Sequence, residues 1–223
     1  QYHYIYQNIK TDVALCSISG GTDIIGCFAL GNPLLPIYIG QLQSRSLGLD
    51  VRFYNEYGHE VVGEKAELVC LQPFPSMPIY FWGDADGVKY QKAYFSKFNN
   101  IWAHGDYGEL TPEQGVIISG RSDAVLNPGG VRIGTAEIYA EVEKVAEVIE
   151  SLAVGQVQDG DERIILFVVL RDKLQLDANI KTAIISQIKH GATPRHVPAI
   201  IIQASELPRT ASGKLVELAV KDV

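Results

Sequence analysis

GRSDAVLNPGGVRIGTAEIYAEVEKVAEV, residues 120–148, is the stretch from which the rest of the chain can be read. Its first half is turn chemistry, with Pro128, Gly129 and Gly130 between two arginines. Its second half changes character. Ile138, Val142, Val145 and Ile149 recur at the spacing of one helical face, which predicts a helix over 137–148. Thr135 can cap that helix, and Glu137 suits the positive end of its dipole. Further on, IILFVVL (164–170) is a continuous apolar run bounded by charge, as in a fully buried strand. Ile180, Ile184 and Ile188 predict a second amphipathic helix, with Asp177 as N-cap and Gly191 as stop. AIIIQ (199–203) reads as another strand. The order helix, strand, strand, helix, strand predicts a small α+β domain over 121–223, a short sheet flanked by helices. Upstream of residue 120 the pattern differs. LDVRFY (49–54), ELVCL (67–71), IWAHGDYGEL (101–110) and GVIISG (115–120) are short strand-like runs with turn signals between them. TPEQ joins the last two as a hairpin connection. PFPSMP (73–78) cannot donate regularly to a ladder and reads as a loop. Residues 1–120 are therefore expected to hold a strand-rich small barrel or a pair of antiparallel sheets, closing a larger domain.

The composition excludes some classes. The 223 residues carry 47% hydrophobic and 20% charged side chains, ordinary for packed globular protein. The net charge of −7 argues against nonspecific nucleic-acid binding, which needs a basic surface. No apolar run approaches the roughly 20 residues of a membrane span, and no segment has the plan of a signal peptide. Cys16, Cys27 and Cys70 are odd in number and lack metal-site spacing. They read as three reduced, buried thiols in a cytoplasmic protein.

Four motifs could carry chemistry. GGTD (20–23) has two glycines that let backbone amides approach an anion, a hydroxyl at Thr22 and a hard carboxylate at Asp23; it is equally common turn chemistry. In HGD (104–106), Asp106 can accept both hydroxyls of a ribose, or it is a turn aspartate; His104 reads as structural, with no nucleophile to serve. In 120–132, Arg121 and Arg132 offer fixed forks of donors, and Gly129 and Gly130 bare backbone, or the whole is a solvated loop. In LPRTASGK (207–214), Lys214 ends a Gly- and Ser-containing turn. An ammonium there can neutralise charge built up in phosphoryl or nucleotidyl transfer, or simply face solvent.

Taken in order, GGTD, HGD, GRSDAVLNPGGVRIGTAEIY and LPRTASGK resemble the adenylate-forming acyl-CoA synthetase superfamily over roughly residues 10–220. SISGGTDIIGCF, KAYFSKF, IWAHGDYGEL, SDAVLNPGGVRIGTAEIY and RHVP resemble its acetoacetate-activating members. The resemblance implies a two-step reaction: acetoacetate and ATP give an acyl-adenylate and pyrophosphate, and CoA then displaces AMP. It implies Thr22 on the phosphate, Asp23 near Mg²⁺, Asp106 and Arg121 on the ribose, and Arg132 at the phosphates. Gly130 would line the pantetheine path, Lys189 and Arg195 would meet CoA phosphates, and Lys214 would serve adenylation. Asp123 would be the hinge of a mobile C-terminal domain. Acetate-activating relatives carry tryptophan at the position of Gly20, so the resemblance implies that Gly20 leaves room for a longer acid. The superfamily's Ser/Thr/Gly-rich phosphate loop is not in this sequence, which is expected to be the C-terminal portion of a longer enzyme, and inactive alone. LVEL follows LPRTASGK where relatives often carry basic residues. Other readings are a ligase for another short acid, a domain that loads a carrier protein, and a non-catalytic nucleotide- or CoA-binding module.

Overall fold

A computed structural model describes residues 2–158, 160–211 and 213–221. The chain divides into two compact units, one running to Ile118 and the other from Ser119.

The first unit opens with a short helix, α1 (Tyr2–Asn8), followed by β1 (Ser19–Gly21), β2 (Gly26–Leu30) and β3 (Ser44–Arg45). These three strands form an antiparallel sheet in the order β1-β2-β3. A second sheet, in the order β4-β5-β6-β7, contains β4 (Val51–Tyr54), β5 (Ala66–Cys70), β6 (Trp102–Leu110) and β7 (Val116–Arg121). Thr111 N–H donates to the Gly115 carbonyl at 2.8 Å and closes the TPEQ turn between β6 and β7. The sheets stay separate and open, so the barrel gives way to the paired-sheet alternative. Strands of two to five residues in β1–β3 are too short to wrap round. One antiparallel bridge, Leu42 to Val116, ties the segment before β3 to the start of β7. Ile24, Phe28, Val51, Phe53, Leu68, Trp102 and Leu110 fill the core of this unit.

Between β5 and β6 lies α2 (Val88–Tyr94), which the sequence reading passes over. Buried Asp84 starts it, accepting from Lys89 N at 3.0 Å and Tyr90 N at 2.9 Å. The β5–β6 register contains a wide irregularity. Glu67 faces Tyr107 and Val69 faces Ala103, so Leu68 alone spans His104, Gly105 and Asp106. HGD is thus a bulge inside a nine-residue strand.

In the second unit, α3 (Thr135–Val142) leads into the long antiparallel hairpin β8 (Val148–Gln158) and β9 (Asp161–Leu170). Then come α4 (Ala178–Gly191), β10 (Ile200–Gln203), parallel to β9, and α5 (Glu217–Lys221). This is the expected order. Along β9, Ile164, Leu166, Val168 and Leu170 face the cluster containing Ile138, Val142, Ile180, Ile184 and Ile188. Ile165 faces the opposite cluster with Leu152, Val154 and Leu207. That two-sided burial is why the run reads as continuous rather than alternating. Asp177 caps α4 by accepting from Ile180 N at 2.9 Å.

The first helix differs from its expectation. It ends at Val142, and Val148 pairs with Leu170 in the ladder instead of extending the helical face. Sheet pairing overrides the local period, and Ile149 is left 52% exposed. The cap is Gly134, whose N–H donates to Glu137 Oε1 at 2.8 Å, while Thr135 is the first helical residue. The cysteines also depart from expectation: all three are free, but only Cys70 is buried, and Cys16 is exposed. Among the described residues no helix is long and apolar enough to cross a membrane.

Candidate functional site

The first unit brings GGTD and HGD together. Gly20 pairs with Cys27 and Gly21 with Gly26 across β1 and β2. The turn between them carries exposed Thr22 and Asp23, while Ile24 is fully buried and pins the turn to the core. Gly21 rests on the imidazole of His104. A Cβ there would lie 2.7 Å from the ring's Cε1, so only glycine permits this approach. Trp102 Nε1 donates to His104 Nδ1 at 3.3 Å. That bond leaves the proton of a neutral imidazole on Nε2, which faces Asp106 Oδ2 at 3.9 Å. Tyr94 stacks on Trp102 at 3.7 Å between centroids, and its hydroxyl donates to Asp23 Oδ2. An aromatic shelf of Tyr94, Trp102 and His104 therefore supports the turn from below while Asp106 stays buried beside it.

Tyr94 and Trp102 are absent from the residues singled out in the sequence. The available signal was Asp84 six residues before Tyr90, a capping residue ahead of an aromatic pair spaced i, i+4.

Gly20 does not open onto empty space. A Cβ there would meet the Gly26 carbonyl oxygen at 2.0 Å and Cys27 Cα at 2.7 Å. A side chain at this position would press on the β2 backbone, so a larger residue needs the β1–β2 pair to shift.

The second unit arranges the remaining residues. Arg121 Nη2 reaches Asp123 Oδ2 at 3.4 Å, with both side chains exposed. Leu126 and Ile133 bridge each other and are buried, so the intervening NPGGVR loop projects from two fixed feet. Gly129 and Gly130 have φ of 58° and 76°, the left-handed region that favours glycine. Asp161 Oδ1 accepts from Gly129 N at 2.9 Å, and this amide, with that of Glu162, holds the Asp161 carboxyl below its usual range. Arg195 Nη1 lies 3.6 Å from the position of a Gly129 Cβ, and Gly130 has open space around it. Arg132 is half-buried, and Lys189 is exposed on the last turn of α4.

Lys214 is exposed at the end of a small hairpin, closed by Thr210 N to Lys214 O at 2.8 Å and Gly213 N to Thr210 O at 2.9 Å. Ser212, within the same motif, lies outside the described residues. Both flanks are tied down. Arg209 pairs with Glu150 and donates to the Gly213 carbonyl at 2.6 Å. On the other side, Glu217 Oε1 accepts from Thr135 Oγ1 at 3.0 Å and Tyr139 Oη at 3.1 Å. Burial pushes the Tyr139 phenol well above its usual range, so it stays a neutral donor. The LVEL that replaces basic residues thus contributes Leu215 to the apolar cluster and Glu217 to this tie.

Residues 136–214 match the AMP-binding enzyme C-terminal domain. The whole chain is 55% identical to acetoacetyl-coenzyme A synthetase of Rhizobium meliloti (strain 1021). Residues 136–214 are thus similar to the C-terminal domain of AMP-binding enzymes, and the whole chain is similar to part of the acetoacetyl-CoA synthetases. It covers 34% of that relative, and an acetoacetyl-CoA synthetase of Xenopus tropicalis is 50% identical over all of this chain and 33% of its own length. The chain therefore spans about a third of the length of the curated relatives it matches. Among solved structures, acetoacetyl-CoA synthetase from Streptomyces lividans superposes with a TM-score of 0.86 at 41% identity. That match covers 91% of this chain and 30% of the other. Both units of the chain thus fall within aligned regions of its relatives.

Proposed function

We propose that this chain is part of an ATP-dependent acid–thiol ligase acting on acetoacetate. A carboxylate oxygen attacks the α-phosphorus of ATP; the acyl–phosphate bond forms, the α–β anhydride breaks, and pyrophosphate leaves. The CoA sulfur then bonds to the acyl carbon, its proton is lost, and AMP departs with the former carboxylate oxygen. In the first unit, Thr22 is assigned to a phosphate oxygen and Asp106 to the ribose hydroxyls. In the second, Arg121 takes the ribose, Arg132 the phosphate region, and Lys214 the charge that develops during adenylation. Asp123 is assigned to the hinge between the half-reactions. Gly130, open on its ligand side, and Arg195 beside Gly129 suit the arm and phosphates of CoA, with Lys189 as a further cation.

A magnesium ion would neutralise phosphate charge in the first step. Among the described residues no group of three metal-ligating side chains converges, but one carboxylate with substrate phosphates is the usual Mg²⁺ arrangement. Asp23 fits that role, since Tyr94 holds one of its oxygens and so fixes the carboxylate's direction. Three unpaired thiols suit a cytoplasmic setting.

The packing of Gly21 on His104 carries the reading, because it brings the phosphate and ribose motifs to one place. Whole-length identity to acetoacetyl-CoA synthetases supports acetoacetate over another short acid. Titration calorimetry with AMP, a stable acetoacetyl-adenylate analogue and CoA tests it. Binding of the adenylate analogue is expected; binding of none of the three would favour a non-catalytic packing module.

A further inference from the structure

We infer that Glu67 is a positioning residue for Asp106. The side chain of Glu67 is 3% exposed on β5, an unusual place for an acidic residue. Its Oε2 lies 2.6 Å from Lys97 Nζ, and its Oε1 accepts from the backbone N–H of Gly105 at 3.0 Å. Gly105 is the centre of the HGD bulge, with φ of 81°. At such a bulge the extra residues leave the ladder, and a buried amide that has left the ladder needs another acceptor. Glu67 supplies it. Burying the Glu67 carboxyl while Lys97 stays 40% exposed is a poor route to stability compared with apolar packing, which makes a role in setting geometry the better explanation. Lys97 holds the Glu67 carboxyl in place, that carboxyl holds the Gly105 amide, and the next residue, Asp106, inherits its direction from that amide. Two of the three partners come from segments remote in sequence, β5 and the end of KAYFSKF, so the bulge is held from outside its own strand.

This inference rests on the assignment of Asp106 to ribose, and its test separates the two. The readout is the ratio of affinities for AMP and 2′,3′-dideoxy-AMP, measured on the whole chain by calorimetry. Two hydroxyls bonded to a carboxylate should favour AMP about tenfold or more. Asp106→Asn should bring the ratio toward one. Glu67→Asp, whose shorter carboxylate cannot reach the Gly105 amide, should do the same while leaving dideoxy-AMP affinity unchanged. Glu67→Gln combined with Lys97→Met keeps an acceptor for Gly105 without a stranded charge, and should restore the ratio. If Asp106→Asn lowers the ratio but Glu67→Asp keeps it, the positioning role is wrong and the ribose role survives. Equal loss of both ligands in Glu67→Asp would reduce Glu67 to a structural part and also overturn the inference. A wild-type ratio of one would overturn the ribose assignment and this inference with it.

Discussion

The imidazole of His104 packs against the α-carbon of Gly21, so close that a methyl group there would sit 2.7 Å from Cε1 and 2.9 Å from Nε2. Neither side can yield easily, because His104 is buried between Phe28, at 4.6 Å between centroids, and its bond to Trp102. Gly21→Ala should therefore cost about 1–3 kcal/mol through overpacking. Urea unfolding followed by tryptophan fluorescence checks it, since Trp102 reports on the same shelf. A loss below about 0.5 kcal/mol, the range of ordinary surface changes, would mean that the contact relaxes freely.

Tyr94→Phe removes the hydroxyl that holds Asp23 but keeps the ring on Trp102. A loss of about 0.5–1.5 kcal/mol is expected in the same unfolding assay, the usual net worth of one hydrogen bond. Tyr94→Ala should cost about 3–5 kcal/mol, because the stacked ring goes as well. Similar losses for both would show that the hydroxyl, not the stack, dominates.

Tyr139→Phe tests the tie behind Lys214. It leaves Ala153 N, which donates to Tyr139 Oη at 3.0 Å, and Glu217 without that partner. The expected cost is about 1–3 kcal/mol. Amide exchange at Gly213 and Lys214 should accelerate more than exchange in the β8–β9 ladder. Uniform acceleration would show that Tyr139 acts on the whole unit and not on the hairpin.

Glu141 gives a pH dependence. Lys144, at 2.7 Å, and then Gln187, at 2.8 Å, hold its carboxyl below the usual range against the opposing effect of burial. A depressed carboxyl contributes stability above its ordinary value near pH 4.3, and loses it as pH falls through the folded value. The thermal midpoint should therefore fall between about pH 5 and pH 3, and less steeply in Glu141→Gln. Parallel curves for the two proteins would remove Glu141 from the account.

Much of the second unit was readable because local signals agreed with packing. Asp177 marked a cap, Ile180, Ile184 and Ile188 marked a face, and β9 is apolar on both sides. The helix after Gly134 was overestimated because Val145 is buried in a turn and Val148 in a strand, contacts that share a helical period only by coincidence. In the first unit the motifs were visible, but their support was not. Tyr94 touches Asp23 across 71 residues of sequence and Glu67 touches Gly105 across 38, and no local pattern records such pairings. Gly20 likewise has a neighbour that no local pattern records, the β2 backbone at Gly26 and Cys27.

We propose that this chain supplies about a third of an acetoacetate-activating ligase. A hybrid enzyme tests it directly, with this chain replacing the matching 34% of the Rhizobium meliloti relative. Acetoacetate-dependent exchange between ATP and pyrophosphate is the measurement. Exchange is expected with acetoacetate in preference to acetate, and Lys214→Ala should lower it by at least about a hundredfold, as for removal of a charge that stabilises the transition state. A folded hybrid without exchange, or with exchange indifferent to Lys214, would contradict it.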